Sequence, residues 1–428
     1  MQITRVSPFL NRTLKRWCTG LALAMAAMLT VWGLAVLPPS LSQMPQSPMH
    51  ELRGVWLTNI DSEVLFSRDR LQKGLRQLAQ LNFNTVYPTV WNWGYTLYPS
   101  QVAAQVIGET QRLYPDVGNT GTIDLKEATQ QGRDMLRELV AIAHARHLNV
   151  VPWFEFGFMA PADSALAQRH PNWLTQRRDG TTVLMEGSHP RVWLNPMHPE
   201  VQGFILQLIQ EVVVRYPIDG IQLDDHFGLP VDLGYDPFTV ALYRQEHGDQ
   251  PPPDDPHAPD WIRWRANKIT AVMSQVFTTI KSQNPKAVVS LSPNPAPFAY
   301  ETFLQDWPDW ERRGYLEELV VQVYRSDRNR FLIELERPEI QRAQQHIPVS
   351  IGILTGLKNR DVPMGWIQQQ VKWVRDRRLA GVAFFFYETL WTSQTERPKQ
   401  RSDGFRAVFS QAALRPVLWE GWAATQSR

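Results

Sequence analysis

Cysteine is all but missing. Cys18 is the only one in 428 residues, and because it lies within the first fifty, the rest of the chain can hold neither an internal disulfide nor a thiolate zinc site. An excess of one charge sign is missing too. Lys and Arg number 44 against 42 Asp and Glu, a formal net charge of +2, which lacks the concentrated positive field that a nucleic-acid partner demands. Apolar residues are not scarce: 43% of the chain is hydrophobic and 20% charged, so a large core is affordable and general disorder is excluded. Tryptophan is in excess, 17 in all with 15 after residue 50, more than core filling alone requires. An indole offers a flat apolar face and one N–H donor, which makes carbohydrate the first partner to consider.

Arg5, Arg12, Lys15 and Arg16 precede an almost uncharged run from Trp17 to Leu37, followed by Pro38-Pro39-Ser40 and a polar stretch to His50. This order reads as the basic, apolar and linker regions of an export segment over residues 1–50. At about 21 residues the apolar run suits either a long signal peptide or a single membrane anchor, with the basic flank cytoplasmic. Residues 51–428 are therefore expected outside the cytoplasm, in the periplasm, on the outer face of the cytoplasmic membrane, or secreted.

The remaining chain alternates short apolar runs with helical patterns. Candidate strands fall at Arg53–Asn59, Thr85–Trp91, Val150–Phe156, Gly220–Asp224, Ala287–Ser292, Leu319–Tyr324, Pro348–Leu354 and Gly381–Tyr387. Helical spacing recurs between them, as in Leu71, Leu75 and Leu78 behind a Ser67 cap, and in Val201, Phe204, Ile205, Leu208, Ile209 and Val212 behind Pro199. Eight such units predict an α/β fold of the (β/α)8 TIM-barrel class, in one domain over 51–428. The strand-to-helix connections are the long ones, which places the active site on their rim.

Strand alternation then selects the chemistry. In Gly220-Ile221-Gln222-Leu223-Asp224 the apolar pair should face the helices, leaving Gln222 and Asp224 inward. A carboxylate there is costly to desolvate unless it has partners or a task. Asp225 follows as a secondary candidate. The same test turns inward Tyr87, Thr89, Trp91 and Trp93, then Glu155, then Ser290, Ser292 and Asn294, then Gln322 and Tyr324. Phe384-Phe385-Phe386 hides the phase of the last strand, so Tyr387 and Glu388 both remain candidates. Arg53, Asn59, Trp153 and His226 complete an expected sugar-binding set. Glycoside hydrolysis needs one carboxyl group to protonate the departing oxygen and a second to attack or to activate water. Asp224 is the second group. For the acid, Glu155 comes first because Trp153, Phe154 and Phe156 surround it, with Glu388, Asp225 and Asp61 behind it. Glu155 with Asp224 leans toward retention of anomeric configuration, whereas Glu388, across the barrel, leans toward inversion.

Glu51-Leu52-Arg53-Gly54-Val55-Trp56-Leu57-Thr58, Phe83-Asn84-Thr85-Val86-Tyr87, Asp219 through Asp225, Trp264-Arg265, Ser292-Pro293 and Val321-Gln322-Val323-Tyr324 occur in that order. The series resembles the bacterial glycosyl-hydrolase-like 10 family over about residues 50 to 390. The resemblance implies a TIM-barrel, glycosidase-like fold on exported proteins, with peptidoglycan glycan strands as the substrate of the better-understood branch. The Asp-Gly-x-x-x-Asp run is also similar to strand four of the α-amylase-like barrels, which implies a nucleophile at Asp224. Those enzymes take their acid from strand five, which here ends Ser290-Leu291-Ser292-Pro293-Asn294 without a carboxylate. Where the family commonly has Trp-x-Asn-Pro on strand three, this chain reads Trp153-Phe154-Glu155-Phe156.

Two other readings stand beside hydrolysis. A non-catalytic carbohydrate-binding barrel would keep the rings and lack a working acid. A metal-dependent polysaccharide deacetylase would use Asp224, Asp225 and His226 with His189 or His198, but alternation sends neighbouring strand residues to opposite faces and no His-x-x-x-His pair follows. No metal and no cofactor is expected.

Overall fold

A computed structural model describes residues 49–112 and 133–418. Residues 1–48, which hold nearly all of the expected export segment, and residues 113–132 of the second long connection lie outside the described residues. Among the described residues no helix is long and apolar enough to cross a membrane.

All eight expected strands are present: β1 (Leu52–Leu57), β2 (Thr85–Asn92), β3 (Asn149–Val150 and Trp153–Phe154), β4 (Gly220–Asp224), β5 (Val288–Ser292), β6 (Glu318–Gln322), β7 (Val349–Leu354) and β8 (Gly381–Phe385). Each runs parallel to its neighbours, and β1 pairs with both β8 and β2, so the sheet closes into the (β/α)8 barrel that the periodicity predicted. The interruption of β3 has a covalent cause. Pro152 has no N–H to give, yet its carbonyl still accepts from Gln222 N and Val151 N donates to Val86 O, so the ladder continues past it. At the other end, β8 stops at Phe385 and a short helix, Tyr387–Trp391, takes over where the triple Phe had hidden the phase.

Helix α1 (Arg68–Gln80) starts where expected, the Ser67 side chain accepting from Arg70 N, and buries Leu71, Leu75 and Leu78. Helix α2 (Met135–His144) and helix α3 (Pro199–Arg215) likewise turn their apolar stripes inward. These faces and the outward side of the strands form the main hydrophobic layer. A second, smaller cluster lies inside the barrel and contains Trp56, Tyr87 and Trp153. Tyr87 fits there because residue 54 is glycine: a Cβ at Gly54 would stand 2.7 Å from the Tyr87 ring.

A column of hydrogen bonds runs down this interior. Trp56 Nε1 donates to Gln222 Oε1 (2.7 Å), Gln222 Nε2 to Ser290 Oγ (3.0 Å), and Ser290 Oγ to Glu318 Oε1 (2.8 Å). Tyr87 donates its hydroxyl to the same oxygen of Glu318, and Arg415 Nη2 pairs with the other at 2.5 Å. Glu318 opens β6, so this ion pair sits at the N-terminal end of the barrel, opposite the catalytic rim. Arg53 also belongs to that end. It was expected to bind substrate, but its buried guanidinium pairs with Glu51 (2.7 Å), donates to Gln411 O and lies 4.6 Å from the Phe409 ring centre.

Candidate active site

Asp224 is the last residue of β4 and is 3% exposed. Three N–H groups converge on its carboxylate: Trp153 Nε1 on Oδ2 (2.9 Å), Gln322 Nε2 on Oδ1 (2.6 Å) and Asp225 N on Oδ1 (2.7 Å). Burial and the adjacent Asp225 raise its proton affinity, while His226 acts against them. Trp153 and Gln322, expected to bind sugar, serve here as the carboxylate's hydrogen-bond donors.

Past Asp224 the chain leaves the strand, and alternation no longer governs it. Asp225 accepts from Asn294 Nδ2 at 2.7 Å. His226 turns its Nδ1 toward the Glu155 carbonyl oxygen (3.1 Å) and Asp225 Oδ1 (3.4 Å), and its Nε2 toward Glu186 Oε1 (3.3 Å). This approach depends on glycine at 157, where φ is +50° and a Cβ would lie 2.5 Å from the His226 carbonyl oxygen. Burial pulls the His226 ring down, but Asp225, Glu186 and Asp224 outweigh it and bring the imidazole up to about 10.

Glu155 follows β3 directly. Its Oε2 accepts from Asn92 Nδ2 (2.8 Å) and Thr89 Oγ1 (3.3 Å). Part of the side chain reaches solvent, yet burial of the carboxyl pushes it up to about 8 against the pull of His226 and the Thr89 hydrogen bond. The Tyr324 ring stacks on Phe385 with centres 5.8 Å apart. Burial, then the charges of Asp224, Asp225 and Glu155, raise its phenol, which places that hydroxyl in the field of all three.

Alternation fails on β2. A register shift between Thr89 and Trp91 where β2 meets β3 turns Trp91 outward, fully buried, with its indole N–H on Gly157 O (2.9 Å) and its ring 5.5 Å from Phe204 of α3. The same bulge swings Asn92 inward onto Glu155, a site residue the regular pattern could not find. Trp93, with φ +54°, stays at the rim, stacked on Phe156. Tyr87 and Gln222 are completely buried in the interior column, so they support Asp224 from below.

Glu388 and Tyr387 lie apart from this cluster. Glu388 Oε1 accepts from Ser62 Oγ (3.1 Å) and Glu63 N (3.0 Å), and Tyr387 is buried with its hydroxyl against Gly74 of α1. Both line a cavity of about 950 Å³ whose walls include neither Asp224, Asp225 nor Glu155. Asn59 joins the two regions: it lines the cavity, and its Oδ1 accepts from Asn92 Nδ2 at 2.9 Å.

Ligand atoms of Asp224, Asp225 and His226 lie within 4.8 Å of one another, because the strand ends at Asp224. The expectation that these three side chains diverge is therefore wrong. Both nitrogens of His226 nevertheless face oxygen acceptors, and an imidazole holding two protons has no lone pair for a cation. As arranged, the ring itself supplies the positive charge. His198 caps α3, and His189 packs its ring 5.8 Å from that of Trp93.

Residues 51–375 match the family described as Glycosyl hydrolase-like 10. Over 327 residues the chain is 28% identical to glycosyl hydrolase DigH of Escherichia coli (strain K12), covering 67% of this chain and 68% of that protein. Over 311 residues it is 23% identical to glycosyl hydrolase YngK of Bacillus subtilis (strain 168), covering 64% and 54%. The solved glycoside hydrolase domain of PgaB (BpsB) from Bordetella bronchiseptica shares the fold, with a TM-score of 0.61 at 12% identity over 86% of this chain and 100% of that one.

Proposed function

The chain belongs to the glycosyl hydrolase-like 10 family and is a glycosidase by family and fold; from that premise we propose that Asp224 and Glu155 are its two working carboxyl groups. The observation that carries the assignment is their different hydrogen bonding on neighbouring strand ends. Three N–H donors hold the Asp224 carboxylate against the burial and the Asp225 charge that press it toward protonation, whereas Glu155 accepts from one N–H and one hydroxyl and keeps its proton at neutral pH.

In the reaction, Glu155 gives its proton to the glycosidic oxygen as the bond from the anomeric carbon to that oxygen breaks. Asp224 attacks the anomeric carbon and forms a glycosyl ester. Water, losing a proton to the now ionised Glu155, then cleaves the ester and restores both groups, so configuration is retained. Tyr324 and Trp93 flank the reacting sugar. The substrate is a cell-wall or extracellular polysaccharide, and peptidoglycan glycan is the first to test, given the exported character read from residues 1–50.

The test is hydrolysis of such glycans with proton NMR of the first-formed anomer. Retention and loss of turnover in Asp224→Asn support the reading. A substrate whose leaving group needs no protonation should restore turnover to Glu155→Ala. Inverted product, or no such rescue, would move the acid elsewhere. Loss of activity on chelation would instead favour the metal-dependent deacetylase. A reporter active only outside the cytoplasm, fused to residues 1–50, tests export, and a reporter retained inside would remove the cell-wall assignment.

A further inference from the structure

Outside the barrel, Met159–Pro161, His189–Trp193 and Leu184–Glu186 form a small antiparallel sheet. The tip of its outer hairpin stands in solvent, with Met185 63% exposed, while Val192 and Trp193 root the same hairpin in the main hydrophobic layer. It is fastened to the catalytic rim at three points. His189 meets the Trp93 ring edge-on, Arg191 lies 4.3 Å over that ring and 5.1 Å over Phe156, and Glu186 reaches His226. The other oxygen of Glu186 accepts from Arg191 Nε at 3.0 Å.

Resting on the glycosidase reading above, we propose that Glu186 is a positioning residue, which clamps the His226 imidazolium against the Glu155 and Asp224 pair and makes the hairpin part of the catalytic centre. The geometry requires a partner there. With Nδ1 turned to the Glu155 carbonyl and Asp225, Nε2 is directed at a carboxylate oxygen of a different element, and only a doubly protonated ring satisfies both sides. The charged and titratable groups around the ring are Asp224 and Asp225 from its own segment, Glu155 from β3, Glu186 with Arg191 from the hairpin, and Tyr324 across the carboxylates. Among the acidic groups Glu186 is the one held outside the barrel. Burial would raise the Glu186 carboxyl, but the His226 and Arg191 interactions bring it down to about 2, so it stays anionic wherever the enzyme works.

Removing that anion acts twice in the same direction. His226 loses a partner of its charged form, and Glu155 loses a negative neighbour that helps to hold its proton. Both groups then deprotonate at lower pH. In Glu186→Gln the alkaline limb of kcat/KM is expected to move down by about one pH unit or more, so the deficit against wild type widens with rising pH. Glu186→Asp, which keeps the charge on a shorter arm, should restore much of the limb. In parallel, NMR of the full chain follows the His226 ring, whose titration midpoint should fall in Glu186→Gln.

A deficit equal at every pH, or an unmoved limb, would overturn the inference, as would a His226 midpoint that does not shift. If no glycan is hydrolysed, the glycosidase reading fails by itself, and the His226 midpoint still decides whether Glu186 clamps the ring.

Discussion

Glu155 holds its proton because of where it is, and the chain must bear a cost for that in stability. A carboxyl whose folded value stands near 8, against an ordinary 4.5, favours folding below the ordinary value and loses that contribution as pH rises through about 8. His226, raised to about 10, works in the same direction and loses its contribution as pH rises through that value. Glu155→Gln is therefore expected to unfold at a higher temperature than wild type above pH 8, with the gap closing toward pH 5, while activity collapses. Scanning calorimetry across that range checks it, and a gap that is constant with pH would count against a buried, protonated Glu155. At the same scale, Asp224→Asn should lower kcat by at least ~10²-fold, and Asp225→Asn by less. Near-normal turnover in the first with loss in the second would reverse their roles. Asp224 was legible in the sequence because β4 stays regular to its final residue. Glu186 was not, since no periodicity locates a residue on a long loop, and Arg53, expected to bind substrate, lies at the start of β1, the end away from the rim.

Single elements explain the other departures. The β2 bulge exchanges two neighbours, burying Trp91 against α3 and delivering Asn92 to Glu155. Alternation is a rule about an unbroken pleat, so one inserted step inverts every assignment beyond it. The two tryptophans should then answer differently to truncation. Trp91→Ala is expected to cost ~3–5 kcal/mol in urea unfolding, as for other buried large side chains, with little change in KM for the fraction that folds. Trp93→Ala should raise KM and disturb stability less, because its ring is only partly buried at the rim. Equal effects in both assays would show that the bulge does not separate their roles. The end of β8 was unreadable for a different reason. Three consecutive Phe residues carry no alternation, and the change from strand to helix at Tyr387 is announced by no cap or break that the sequence shows.

The molecule as a whole was the most legible level, because eight apolar runs at helix-spaced intervals allow few arrangements other than a closed barrel. What the pattern could not show was how the lower end is completed. Arg415 comes from beyond the last barrel helix to meet Glu318, both side chains nearly inaccessible to solvent. Arg415→Met leaves that carboxylate buried without a counter-charge and is expected to cost ~3–5 kcal/mol, much of it recovered by adding Glu318→Gln. Failure of the second change to recover stability would assign the loss to packing. The pair also imposes an order in time. Glu318 is made 97 residues before its partner, so while the intervening residues are being made the growing polypeptide carries that carboxylate, at what will be the closed end of the barrel, without its counter-charge. A nascent chain halted before Arg415 should remain open to protease, and one halted well beyond it should resist.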